Sequence, residues 1–117
     1  MIFGIQNCST MTKAFQWLNK NEIDLPFHNY KTKGIDCTTL QRWCDLHEWD
    51  DLINKKGLTW KKLDSNIKEN ITDAQTAIKL MQTYPTLIRR PIIEMDKTLL
   101  VGFNEDIWAK YFKKKNA

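Results

Sequence analysis

The side chains able to do covalent or ligand chemistry are few: Cys8, Cys37 and Cys44, the histidines His28 and His47, and the paired arginines Arg89 and Arg90. Cys8 has the most informative neighbours. It ends the run Ile2-Phe3-Gly4-Ile5-Gln6-Asn7 and precedes Ser9-Thr10, after which Met11, Ala14, Phe15 and Leu18 recur at the spacing of one helix face. The pattern reads strand, tight loop, helix, with a thiol where the helix begins and Ser9 or Thr10 as its N-cap. The free N–H groups and the positive dipole end at that place favour a thiolate or a bound oxyanion. A helix N-terminus brings a thiol pKa of roughly 8.5 down to about 3.5–7.5. Asn7, Ser9 and Thr10 are expected to supply hydrogen bonds to the sulfur or the anion. The competing reading of a lone cysteine is a small buried hydrophobe. Here the polar flanks Gln6, Asn7, Ser9 and Thr10 argue for an exposed loop. Three residues after Cys8 stands Met11, so there is no C-x-x-C pair and redox chemistry in the loop must use one protein thiol.

The other cysteines offer less. Cys37 and Cys44 on one helix lie about 10.5 Å apart along its axis, beyond what a disulfide spans. Cys44 and His47 have a chelating spacing, but a structural zinc site wants four ligands and no second pair is visible, so no metal is expected. His28 falls within a strand pattern, on its polar face, with a catalytic role as the less expected alternative.

These residues need a frame. Leu25–Tyr30 reads as a second strand, completing a βαβ unit with parallel pairing, and Lys31-Thr32-Lys33-Gly34 as the loop that closes it. Asp36 is a plausible N-cap for a helix whose apolar face is Leu40, Trp43, Cys44 and His47. From Trp49 to Tyr84 the pattern gives short helices joined by loops: Asp50-Asp51-Leu52-Ile53-Asn54 leads into the loop Lys55-Lys56-Gly57, and Asp64 caps a brief turn. Thr72-Asp73-Ala74-Gln75 fits a capping box ahead of Ala74, Ala77, Ile78 and Met81. Ile92–Met95 and Leu99–Val101 form a hairpin turned by Asp96-Lys97, with Pro91 where a sheet tolerates proline. Asn104 caps a last helix packed through Ile107, Trp108 and Tyr111. The order β-α-β, helices, β-β-α is that of a thioredoxin-like α+β fold with a mixed four-stranded sheet, covering residues 1–117 as one domain with a helical insertion at about 35–84. In that frame the loop before the third strand faces the first helix, which brings Arg90 to Cys8.

Composition narrows the class. A chain of 117 residues with 42% apolar residues and five tryptophans suits one compact core. No stretch approaches the ~20 apolar residues of a membrane span. Met1 leads directly into the first strand without a charged leader, and three cysteines argue against a secreted disulfide framework, so the expectation is a cytoplasmic monomer with reduced thiols. The net charge of +4 comes from runs such as Lys113-Lys114-Lys115 and from Lys55, Lys56, Lys61 and Lys62 around a loop. These read as solvated surface, with no nucleic-acid-binding motif beside them.

Gly4-Ile5-Gln6-Asn7-Cys8, Gly57-Leu58-Thr59-Trp60, Leu63 and Tyr84-Pro85 through Arg90-Pro91-Ile92 resemble the arsenate-reductase-related family that includes ArsC and Spx, and within it the small YffB-like branch. The resemblance spans nearly the whole chain. It implies that Cys8 is the nucleophile, Arg90 the anion-binding arginine and Pro91 the cis-proline of the fold. The chain also departs from the pattern. Glutathione-dependent arsenate reductases of the family place further arginines around the oxyanion, where this chain has Asn54 followed by Lys55 and Lys56, and Phe103. A lysine holds an oxyanion only as a point charge, whereas an arginine grips it with two donors. Spx-like regulators bind RNA polymerase and often carry the C-x-x-C switch that Met11 removes.

The resemblance thus implies a thiol oxidoreductase in which Cys8 attacks a disulfide or other oxidised substrate and glutathione, the cosubstrate, resolves the mixed disulfide. Lys56 and Arg89 are the candidates for holding glutathione carboxylates. The alternatives are reduction of arsenate or another oxyanion, and a module that binds RNA polymerase.

Overall fold

The computed structural model describes residues 1–115, with side chains as far as Lys113; the side chains of Lys114 and Lys115 in the basic run lie outside the described part. Three residues form the first strand, β1 (Ile2–Gly4), and a loop leads into α1 (Ser9–Lys20). β2 (Phe27–Asn29) pairs parallel with β1 in the register Ile2 to Phe27, Phe3 to His28, Gly4 to Asn29. It is shorter than the apolar pattern predicts. Pro26 has no N–H to give to a ladder, although its carbonyl accepts from Ile2 N at 2.9 Å. Beyond it the chain turns at once into α2 (Tyr30–Lys33), a single helical turn where the sequence suggests a loop. Asn29 makes this possible, its side chain capping the turn at Lys31 N.

The chain then leaves the sheet for α3 (Cys37–Leu46), α4 (Trp49–Leu52), α5 (Leu58–Lys61), α6 (Ser65–Glu69) and α7 (Ala74–Thr83), followed by a 3-10 turn at Pro85–Leu87. Asp36 caps α3 as expected, accepting from Thr39 N at 2.8 Å. Leu40 and Trp43 are its buried face; Cys44 is half-buried, and His47 has passed the helix end into extended backbone. The capping box of α7 is one residue later than expected. Asp73 is the N-cap and its reciprocal partner is Thr76, not Thr72 with Gln75. The buried stripe is Ala77, Ile78, Leu80 and Met81, with Ala74 half-buried at its start.

β3 (Ile92–Met95) and β4 (Thr98–Val101) form the hairpin. Met95 pairs with Thr98, which leaves the two-residue turn Asp96-Lys97, with Asp96 at φ 54°. β3 runs antiparallel to β1, and the mixed sheet has the order β2-β1-β3-β4. Asn104 accepts from Ile107 N and caps α8 (Glu105–Lys115). That cap puts Trp108 and Phe112, one and two turns on, against the sheet. Ile107, expected in the core, is 54% exposed, and Tyr111 is half-buried.

Alternation along β1 and β3 divides the apolar side chains between two layers. Ile2 and Ile93 meet Met11, Ala14 and Leu18 of α1 and Trp108 and Phe112 of α8. Phe3 and Ile92 face the other way, to Tyr30, Leu40, Trp43, Ile78 and Met81. The sheet is therefore covered on both faces. Phe15, expected on the buried stripe of α1, is half-buried and packs edge-on to Phe27, ring centroids 5.1 Å apart. His28 is half-buried beside Phe3 and joins its Nε2 to the Gly34 carbonyl at 2.7 Å, so its role is to fasten the β2–α2 turn. No helix among the described residues is long and apolar enough to cross a membrane.

Candidate active site

Asn7 sets the position of the thiol. It adopts φ 58°, a left-handed conformation that asparagine tolerates better than most residues. The turn makes Cys8 itself the N-cap of α1, with extended backbone at φ −124° and ψ 130°, in place of Ser9 or Thr10. The first helical bond runs from Thr12 N to the Cys8 carbonyl at 2.9 Å. Beneath it, Met11 is buried with its sulfur and terminal methyl against Gly4, where any Cβ would lie 2.5 Å from both. Glycine in β1 is what lets the helix start close to the strand end.

The opposite wall is built by two distant segments zipped together. Arg89 N donates to the Leu52 carbonyl at 2.8 Å and Asn54 N to the Leu87 carbonyl at 2.7 Å, with Ile53 and Ile88 in an antiparallel bridge. The Arg90–Pro91 peptide bond that follows is cis. Cys8, Thr10, Arg90 and Phe103 then line a cleft of about 340 Å³ together with Asn54, Lys56, Arg89 and Gly102. Its charged lining is Lys56, Arg89 and Arg90, so it is electropositive.

Arg90 is half-buried and anchored by its Nη1, which donates to the Thr86 carbonyl at 3.1 Å. Its guanidinium faces both the Cys8 sulfur and the Tyr30 hydroxyl, and these contacts outweigh desolvation and raise the arginine pKa further. Burial pushes the Cys8 thiol up. Against it act hydrogen bonding from the Met11 N–H, the Arg90 guanidinium and the Thr10 N–H, together with the arginine charge, and the net pKa is lowered. Such donors favour the thiolate because sulfur accepts hydrogen bonds weakly until it is ionised. Tyr30, fully buried, donates to the Ile88 carbonyl at 2.8 Å. Burial pushes its pKa up to about 12 despite the nearby Arg90 charge. Cys44 is pushed up by burial and by Asp45, the reverse of Cys8.

Cys8, Arg90, Lys56, Arg89 and Thr10 are brought together at one cleft, and Pro91 follows Arg90 through the cis bond, outside the lining. Asn7 and Ser9 stand exposed beside the thiol, outside the lining, and the donors that reach the sulfur come from Met11 and Thr10 backbone. Asn54 has its side chain engaged locally, accepting from Lys56 N at 3.2 Å. Lys55 is paired with Asp50, and the Lys56 ammonium has no carboxylate partner among the described residues. Cys8, Cys37 and Cys44 are free thiols. His47 is bonded through Nε2 to Asp51 at 2.6 Å.

Three further residues were not signalled as part of the site by their spacing. Tyr30 touches it only through Arg90. Gly102, at φ 80°, has its open side against Arg89, where a Cβ would lie 2.6 Å from Nη2. Asp51 accepts from Arg89 Nη1 at 2.7 Å and carries that guanidinium to the cleft. Only Gly102, a glycine closing a strand, left a trace in the sequence.

The ArsC family profile matches residues 3–111. A solved structure of a protein called YffB superposes with a TM-score of 0.88 at 41% identity, covering 93% of this chain and 95% of that one. The solution structure of an arsenate reductase (ArsC) related protein from Brucella melitensis gives a TM-score of 0.74 at 42% identity, covering 96% and 92%. The global transcriptional regulator Spx of Streptococcus pneumoniae is 34% identical over 107 residues, 90% of this chain and 79% of the regulator.

Proposed function

The chain belongs to the ArsC family, and on that premise we propose that it is a glutathione-dependent thiol oxidoreductase with Cys8 as its single nucleophile. One observation carries this reading: the thiol at the start of α1 meets the Arg90 guanidinium and two backbone N–H groups, and its pKa is lowered. Exchange is fastest when the attacking thiol titrates near ambient pH, which such a setting favours.

The substrate is a mixed disulfide between glutathione and a second thiol. The Cys8 thiolate attacks the glutathione sulfur, forms a Cys8–glutathione S–S bond and expels the second thiol as thiolate, which takes a proton from water. A free glutathione thiolate then attacks the glutathione sulfur of the adduct. Oxidised glutathione leaves and the Cys8 thiolate returns. The substrate disulfide has been reduced and the incoming glutathione oxidised. Arg90 stabilises the thiolate at both ends of the cycle, and Lys56 and Arg89 hold carboxylates of the tripeptide. Asn7, Ser9 and Thr10 border the thiol where the adduct forms.

The test is glutathione-coupled reduction of a glutathione mixed disulfide, followed through glutathione reductase. Wild type turns over and Cys8→Ser does not; turnover that survives the substitution refutes the assignment. The same assay run with arsenate as acceptor examines an oxyanion substrate, which an electropositive cleft also attracts. A second reading, a regulatory module that binds RNA polymerase, is favoured by the likeness to a global transcriptional regulator over nine-tenths of this chain. It predicts partner capture that is unaltered by Cys8→Ser.

A further inference from the structure

Arg89 is held from three directions. Its backbone N–H is fixed to the Leu52 carbonyl, its Nη1 donates to Asp51 Oδ1 at 2.7 Å, and its Nη2 lies against the bare Cα of Gly102. The second carboxylate oxygen of Asp51 is engaged too, by His47 Nε2 at 2.6 Å. Among the described residues Nε and Nη2 of Arg89 make no hydrogen bond. Arg89 lines the Cys8 cleft and also an adjoining cleft of about 560 Å³, which shares Asn54 and Lys56 with it and extends to Asp50 and Glu48. An anchored guanidinium with unused donors at the seam of two clefts is built to receive a planar anion.

We propose that Asp51, itself held by His47, is a positioning residue that presents Arg89 to a carboxylate on the substrate, away from the reacting sulfur, so that the site selects carboxylate-bearing disulfides over neutral ones. The inference rests on the thiol-exchange reading of Cys8 only in needing Cys8 to react with a disulfide once. Arg90, close to the sulfur, acts on the thiolate and so on every substrate alike. Arg89 acts on the substituent. The Asp51–Arg89 pair is exposed, with half of the Asp51 side chain open to solvent, so its contribution is orientation more than stability.

The test needs no turnover. Wild type, Asp51→Asn, Arg89→Ala and the double variant are treated with dithiobis-nitrobenzoate, which carries carboxylates, and separately with neutral dipyridyl disulfide. The modification rate at Cys8 is read by peptide mass spectrometry, because Cys37 is also exposed. The ratio of the two rates cancels the thiolate fraction and any general change in the access to Cys8. Two roles of Asp51 give opposite signs. If it contributed only its negative charge to the local field, Asp51→Asn would raise the ratio, because an anion repellent is gone. As a positioning residue its loss lowers the ratio, by about threefold for an exposed pair. Arg89→Ala lowers it as well, and in that background Asp51→Asn brings no further fall, since there only its charge is lost. An unchanged or raised ratio in Asp51→Asn, or a further fall in the double variant, overturns the proposal. A lowered ratio in a protein that shows no glutathione-coupled turnover would refute the reductase and leave the positioning role standing.

Discussion

The Arg90 guanidinium is directed at the Cys8 sulfur, joining the residue before the cis bond to the one that begins α1. The contact gives the thiolate its nearest positive charge. The Cys8 pKa is lowered, so thiolate persists at pH values where Cys44, pushed up by burial and Asp45, is protonated; it is lost as pH falls through the Cys8 pKa. Alkylation by iodoacetamide followed against pH at each cysteine should give a Cys8 curve displaced to lower pH than that of Cys44. Arg90→Ala should move the Cys8 curve upward, and each unit of that rise lowers the thiolate-to-thiol ratio about tenfold. Arg90→Lys, which keeps charge and loses the fork, should fall between. Coincident curves for Cys8 and Cys44 in the wild type would remove the basis for a nucleophile.

Tyr30 supports the same wall from inside. Its hydroxyl satisfies the Ile88 carbonyl in a buried setting, so Tyr30→Phe should destabilise the fold by about 1–2 kcal/mol in urea unfolding. A pH signature accompanies it. The folded pKa of about 12 is raised above the ordinary value of about 10, so the contribution is complete below the ordinary value and lost as pH rises through the folded one. Wild type should lose stability across that alkaline window more than Tyr30→Phe does. Equal alkaline losses would contradict the burial of the phenol.

Gly102→Ala places a methyl group 2.6 Å from Arg89 Nη2 at a backbone φ of 80°. The left-handed conformation costs about 1–2 kcal/mol for a non-glycine residue, and the guanidinium must move away. The expected result is a lower melting temperature together with a raised KM for glutathione mixed disulfides. Thermal unfolding and steady-state kinetics check the two parts separately. A raised KM with no change in stability would mean that the backbone relaxes there.

Much of this architecture was legible in the chain, and the failures have local causes. The helix periods, the Asp36 and Asn104 caps and the β3–β4 hairpin all follow from residue spacing and turn chemistry. The convergence of Cys8 and Arg90 followed from the order of elements, because both lie at strand ends of a mixed sheet. The N-cap of α1 is Cys8 and not Ser9 or Thr10 because a left-handed Asn7 advances the helix start, and sequence does not display φ. Ile107 reads as core from its neighbours, but the Asn104 cap fixes a register that turns it to solvent. Asp51 carries no sequence signal of a place in the site, since its pairing with Arg89 goes with an isolated bridge between Ile53 and Ile88 that no local pattern announces.

Met11→Cys would restore a second thiol three residues after Cys8. The residue is buried and helical there, and the smaller side chain leaves a void above Gly4, at a cost of about 1–3 kcal/mol. Treated with oxidised glutathione, the variant should lose two hydrogens by intact mass and two of its four titratable thiols, while the wild type gives a glutathione adduct on Cys8 instead. A variant that keeps the glutathione adduct, or keeps all four thiols titratable, would show that the helix start holds the sulfurs apart.

With Met11 packed against Gly4 where a second thiol would stand, the proposed glutathione chemistry carries a consequence for dilution. A vicinal dithiol trades two glutathione molecules for one oxidised molecule, so its equilibrium follows the oxidised concentration over the square of the reduced one. A solitary thiol trades one for one and follows the simple ratio. With glutathione as the proposed cosubstrate, its occupancy of Cys8 would be indifferent to the size of the pool and sensitive only to its balance.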